Sequence, residues 1–85
     1  MHDDPEPKTI KKGIYRHSKS GKKYEVISAA LHTETNEQLV VYRPLYVSNF
    51  ELFARPYEMF VETVEIDSKT KPRFEYLGSD DSATM

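Results

Sequence analysis

Four arginines stand beside aromatic rings. The phrases IYRH, VVYRPLY, LFARPYEMF and KPRFEY put Arg16, Arg43, Arg55 and Arg73 each within two residues of a tyrosine or phenylalanine. A guanidinium stacks on ring faces and forks onto carboxylates or phosphates, so such sites can line a concave surface for an acidic peptide or a nucleotide. A structural use competes with that one. The chain holds 14 acidic residues, and the same arginines can bridge strands to Glu34, Glu58, Glu62 or Glu75 while their methylenes cover apolar surface.

His17, His32 and Glu34 are the candidates for metal chemistry, since His2 stands in a polar terminal stretch. Two imidazoles and a carboxylate suit zinc or iron once the fold gathers them and a second shell orients them. His32 and Glu34, two apart, share a strand face only if the strand reaches that far. No spacing demands a metal, so neither a metal nor a cofactor is expected. Ser18, Ser20, Ser28, Ser48 and Ser68 have no nucleophile-elbow context. Gly13, Gly21 and Gly78 are too scattered to form a phosphate-binding loop. Glu62 and Glu65 read as a solvated strand edge, and a thin domain rarely encloses a catalytic cleft. The expectation is a protein that is not an enzyme.

The elements that position these side chains must fit in 85 residues, one domain with a thin core. Ten aromatic residues supply much of that core, and each of the six tyrosines brings a hydroxyl needing a partner. No cysteine is present, which excludes disulfides and thiolate chemistry and fits the cytoplasm. The opening MHDDPEPKTIKK carries no apolar run of signal-peptide type, and no run is long enough to span a membrane. A monomer is expected. Charge is uneven although the net is −2: residues 8–24 hold seven basic groups and no acid, whereas 25–85 hold eleven acids against five bases. A lysine-rich solvated hairpin explains the basic stretch more simply than a nucleic-acid footprint does.

Residues 1–11 and 78–85 read as disordered tails around a domain at 12–77. Within it, GIYRH is a first strand and SKSGKK a turn in which Gly21 takes a positive φ. In YEVISAALH neither face is clearly polar, which predicts a strand that switches its covered face partway, with Ser28, Ala29 and Ala30 at the bend. TETNE turns the chain through Asn36, and QLVVYRPLY returns, with Pro44 restricted to an edge or a bulge. VSNFE is a turn, LFARP a fourth strand and PYEMF a helical turn with Pro56 at its first position. FVETVEI is a fifth strand, DSKTK a turn and PRFEYL the last strand. Five or six short antiparallel strands with at most one helical turn predict a mainly β protein, a small closed or nearly closed barrel.

These phrases together, over residues 12–77, resemble a family of short bacterial proteins catalogued as a domain of unknown function, number sixteen fifty-three. The resemblance implies an SH3-like barrel. It marks Tyr15, His17, Tyr24, His32, Glu34, Thr35, Tyr42, Arg43, Tyr46, Arg55, Pro56 and Phe60. Phe53 stands where that pattern typically has tryptophan, and the first turn is slightly longer than usual. The family carries no assigned activity. Two functions follow as expectations. One is a non-catalytic module binding a protein or peptide through His17, His32, Glu34, Arg43, Tyr46 and Arg55. The other is nucleic-acid binding through residues 8–24, with Tyr15 or Tyr24 stacking on bases.

Overall fold

The computed structural model describes residues 6–78; the expected disorder of 1–5 and 79–85 lies outside the described residues. The chain runs β1 (Gly13–His17), β2 (Lys23–His32), β3 (Glu37–Pro44), β4 (Phe53–Pro56), α1 (Tyr57–Val61), β5 (Thr63–Ile66), β6 (Lys69–Pro72) and β7 (Phe74–Gly78). Five strands form an antiparallel sheet in the order β4-β3-β2-β1-β7, and β5 and β6 form a separate two-stranded sheet.

The turns follow their residues. Gly21 (φ 77°) and Asn36 (φ 65°) adopt the left-handed conformation their turns require. At the end of β3, the Leu45 amide donates to the Lys23 carbonyl at 3.0 Å. Amides alternate along a strand, so position 44 faces away from β2. Because β4 pairs only as far as Tyr42, Pro44 sits where no neighbouring strand asks it for a hydrogen.

The switch of covered face in β2 comes from a bulge. From His32 to Ser28 the register with β3 runs regularly, His32 opposite Glu37 and Ser28 opposite Val41. It then shifts, with Val26 opposite Tyr42. One extra residue at Ile27 therefore changes which face of β2 points inward, at the edge of the small-residue run. Without it, Glu25 would lie opposite Pro44. With it, Glu25 meets Arg43.

Three sequence expectations need correction. The sheets stay open and do not close into a barrel. Edge strand β4 has four residues and ends at a proline, and β5 pairs with β6 instead of extending the main sheet. Side chains, not hydrogen bonds, close the interior. The segment DSKTK is more than a turn: Asp67 (φ 53°) and Ser68 (φ 65°) alone reverse the chain, and Lys69–Pro72 continue as β6. Finally, Phe60, shared in the sequence reading by the PYEMF helical turn and the FVETVEI strand, belongs to α1 alone, and Pro56 caps the helix just before its first residue.

The core lies between the main sheet and α1. It consists of Tyr15, Tyr24, Val26, Val40, Tyr42, Phe60 and Phe74. Phe60, 1% exposed, is its centre: its ring stacks on Phe74 at 4.2 Å and meets Tyr15 and Tyr42 at 5.3 Å each. The buried phenols all have partners. Tyr15 donates to the Lys11 carbonyl at 2.8 Å, Tyr24 shares a 2.9 Å bond with the Tyr46 hydroxyl, and Tyr42 accepts from Arg55 at 3.2 Å.

Residues 6–11, expected within a tail, make specific contacts. Lys8 exchanges two hydrogen bonds with the Gln38 amide and pairs with Glu58, Tyr57 donates to the Thr9 carbonyl, and Ile10 packs against the core.

Candidate functional site

Register decides what each arginine does. Arg16 lies opposite Glu75 on β7, and its Nη2 reaches that carboxylate at 2.7 Å. Arg43 lies opposite Glu25 and binds it through Nε at 2.8 Å and Nη2 at 2.6 Å. Arg73 pairs with Glu62, just after α1. These three follow the structural reading, with Glu62 and Glu75 among the expected partners and Glu25 an unexpected one.

Arg55 differs. Among the described residues it is the arginine without a carboxylate partner. It lies opposite Val40, on the same face as Phe53 and Tyr42, so the sheet turns it toward the core side. Its Nε donates to the Tyr42 hydroxyl at 3.2 Å, and its guanidinium carbon lies 5.3 Å from the Phe74 ring centroid. A half-buried guanidinium held by a phenol and a ring keeps most of its donor fork uncommitted.

His17, at the end of β1, stands near it. Its ring meets Phe74 edge-on at 5.0 Å, and its Nδ1 lies 3.2 Å from the Ser20 amide and 3.1 Å from the Ser20 hydroxyl. Accepting from that amide leaves the proton of the neutral ring on Nε2. Burial, followed by the charges of Arg55, Arg73 and Lys19, holds its pKa below the ordinary histidine value. Tyr46 reaches the same end of the sheet through Tyr24. Their rings are 5.5 Å apart, and Lys22 sits 4.7 Å over the Tyr46 ring. Burial, with the Tyr46 hydrogen bond adding to it, raises the Tyr24 pKa well above the normal phenol range. Tyr24 also lies 5.8 Å from Phe74 and 5.3 Å from Tyr42, so one set of rings links Tyr46 to Arg55 and His17.

The other expected site residues fall elsewhere. His32 ends β2 and Glu34 lies in the β2–β3 turn, where the Glu34 amide donates to His32 Nδ1 at 3.2 Å and the Asn36 amide to the His32 carbonyl at 2.7 Å. They finish a hairpin. Arg43 is held by Glu25 and, with Tyr46, borders a cleft of about 580 Å³ beneath the 45–52 loop. Among the described residues no group of three metal-ligating side chains gathers, and no helix is long and apolar enough to cross a membrane. The basic groups of 8–24 also disperse: Lys8 goes to Glu58, Lys11 to Tyr76, Arg16 to Glu75 and Lys22 to Tyr46.

The peptide-binding set read from the sequence omitted Tyr24, Tyr42 and Phe74, although Tyr24 had a place in the nucleic-acid reading. The alternation of Val40 with Tyr42 and of Phe53 with Arg55 was the available signal, because it puts Arg55 on the aromatic face once β3 and β4 are paired.

Residues 13–76 match the family described as "Protein of unknown function (DUF1653)". The chain belongs to that family. A crystal structure of a DUF1653 protein from Bordetella bronchiseptica is similar to it at a TM-score of 0.77 with 35% identity, over 84% of this chain and 91% of that one. A search of curated proteins gives no match. Much of what the resemblance marked in this DUF1653 chain is therefore packing, with Tyr15, Tyr24, Tyr42 and Phe60 in the core. Phe53 packs on Tyr42 at 5.7 Å and Tyr24 at 6.1 Å. His17, Tyr46 and Arg55 remain as polar groups at one end of that aromatic set.

Proposed function

We propose that this DUF1653 domain is a non-catalytic binding module that takes an acidic segment of a protein or peptide, with Arg55 as the receptor for its carboxylate. The observation that carries this reading is the contrast among the arginines: Arg16, Arg43 and Arg73 each meet a glutamate, and Arg55 meets none. A cation set among rings with no carboxylate partner favours an incoming anion, and a planar fork suits a carboxylate. The curved antiparallel meander supports an SH3-like reading of the fold, in which loops flank a binding surface. The cysteine-free composition supports a cytoplasmic setting.

The test is a titration of the full chain with a glutamate-containing peptide, read by amide chemical shifts. Binding should move resonances around His17, Tyr42 and Arg55, and Arg55→Ala should remove the effect while the domain stays cooperatively folded, its thermal midpoint lowered by only the several degrees that about 1 kcal/mol represents. Absence of binding at millimolar peptide overturns the reading. Single-stranded oligonucleotide forms the second arm: salt-sensitive shifts confined to residues 8–24 would favour nucleic acid instead.

A further inference from the structure

The 45–52 loop is unusually apolar for an exposed segment. Val47 is 100% exposed, Phe50 71% and Leu52 54%, and all three border the cleft with Arg43, Pro44 and Tyr46. Exposure of large side chains in one patch marks a contact surface more often than isolated exposure does. Two facts indicate its use. Tyr46 belongs both to this cleft and to the ring set that ends at Arg55, whose middle members Tyr24 and Phe74 are buried, so the two regions are joined through the core. The cleft itself offers no receptor for a carboxylate, because Arg43 is engaged by Glu25 and Glu51 adds an acid to the wall. The uncommitted charge is at Arg55, and the cleft adds apolar surface.

Resting on the peptide-binding reading above, we infer that the 45–52 cleft is a second subsite, which takes an apolar side chain of the same acidic segment. Spacing defines the ligand further. Arg55 lies opposite Val40 and reaches toward Tyr42, while Pro44 borders the cleft. Two to four strand residues separate these points, roughly 7–13 Å. An extended peptide covers that span with an acidic residue and an aromatic or branched one two or four positions apart, on the same side of the chain. Lys22, over the ring of the cleft residue Tyr46, adds positive charge beside the cleft.

The test uses fluorescently labelled peptides of otherwise small polar residues, followed by anisotropy on the full chain. One pair carries glutamate and phenylalanine two or four positions apart. The controls replace phenylalanine by serine, or glutamate by glutamine. The paired probes should bind about tenfold more tightly than the phenylalanine-free control, and Phe50→Ser should erase that advantage without weakening the control. Phe50 is exposed, so the variant keeps its fold. Equal affinity of paired and phenylalanine-free probes, with the loop amides unmoved, overturns the second subsite and leaves the carboxylate site standing. If the glutamine control binds as well as the paired probe, the carboxylate reading falls. Failure of every probe overturns both.

Discussion

Arg55 and Phe74 come from opposite edge strands of the main sheet, yet the guanidinium carbon lies 5.3 Å from the ring centroid. Three strands separate β4 from β7 in that sheet. The contact therefore reports how far the sheet curls: its edges approach closely enough for side chains to meet, although their backbones do not pair. The same curl brings His17 close enough to Arg55 for the two charges to repel.

That contact has a measurable strength. Replacing Arg55 by alanine removes a cation–π contact and one hydrogen bond at a half-buried position, a loss of about 1 kcal/mol. Urea denaturation should show it as a lowered midpoint with an unchanged slope. Arg55→Lys should recover part of the stability and little of the peptide affinity, because an ammonium lacks the planar fork.

His17 should titrate below the ordinary histidine pKa, measured from its ring proton shifts against pH. Its depressed folded value means that the unfolded chain binds the proton first. The resulting stabilisation is complete above about 6.5 and is lost as pH falls through the lower folded pKa. Arg55→Ala should move the His17 pKa upward only partway, because burial is the larger cause. An unchanged value in that variant would separate the two groups.

Phe60→Ala should be the most damaging single change. It removes a fully buried ring contacting Tyr15, Tyr42 and Phe74, with an expected cost of about 3–5 kcal/mol. A small domain has little more than that in reserve. Near-ultraviolet circular dichroism should lose its tyrosine signal at ambient temperature, and a folded, cooperative variant would contradict the central role of this ring.

Tyr46→Phe tests the phenol pair. Losing the 2.9 Å bond to Tyr24 should cost about 1 kcal/mol in denaturant and move the Tyr24 pKa down, though not to its ordinary value, since burial persists. Ultraviolet phenolate absorbance on an alkaline titration reads this directly.

The segment at 6–11 offers a further check. Lys8→Ala should raise the Glu58 pKa toward the usual carboxylate value, because the Lys8 hydrogen bond is the main cause lowering it. Gln38→Ala should speed hydrogen exchange of the Lys8 amide, which Gln38 holds at 2.7 Å. Loss of neither effect's partner should disturb β1 to β4.

The sequence was most legible where one residue type does one job. Gly21 and Asn36 marked their turns, Pro44 its edge position and the mixed faces of YEVISAALH the switch of covered face in β2. Asp67 and Ser68 hid a hairpin because neither glycine nor the usual Asn-Gly pair announced it. Whether a curled sheet closes depends on what its two edges meet, and no local pattern in β4 or β7 records that. Arginine roles were hidden for a related reason. The Arg43–Glu25 pair exists only because one extra residue at Ile27 shifts the register, and Arg55 is set apart only by the acids that other strands fail to bring to it.

The open sheets carry one more consequence. The unpaired side of a strand invites a copy of the molecule to add to it, and β6 has both flanks of its hairpin exposed to that hazard. Its residues, Lys69, Thr70, Lys71 and Pro72, are all exposed. Like-charged lysines repel an incoming duplicate, and the proline withholds one of the donors such an addition would need. These exposed lysines and the proline make the free edge of β6 a poor template for strand addition. Changing Lys69 and Lys71 to valine should weaken that protection and bring on concentration-dependent self-association.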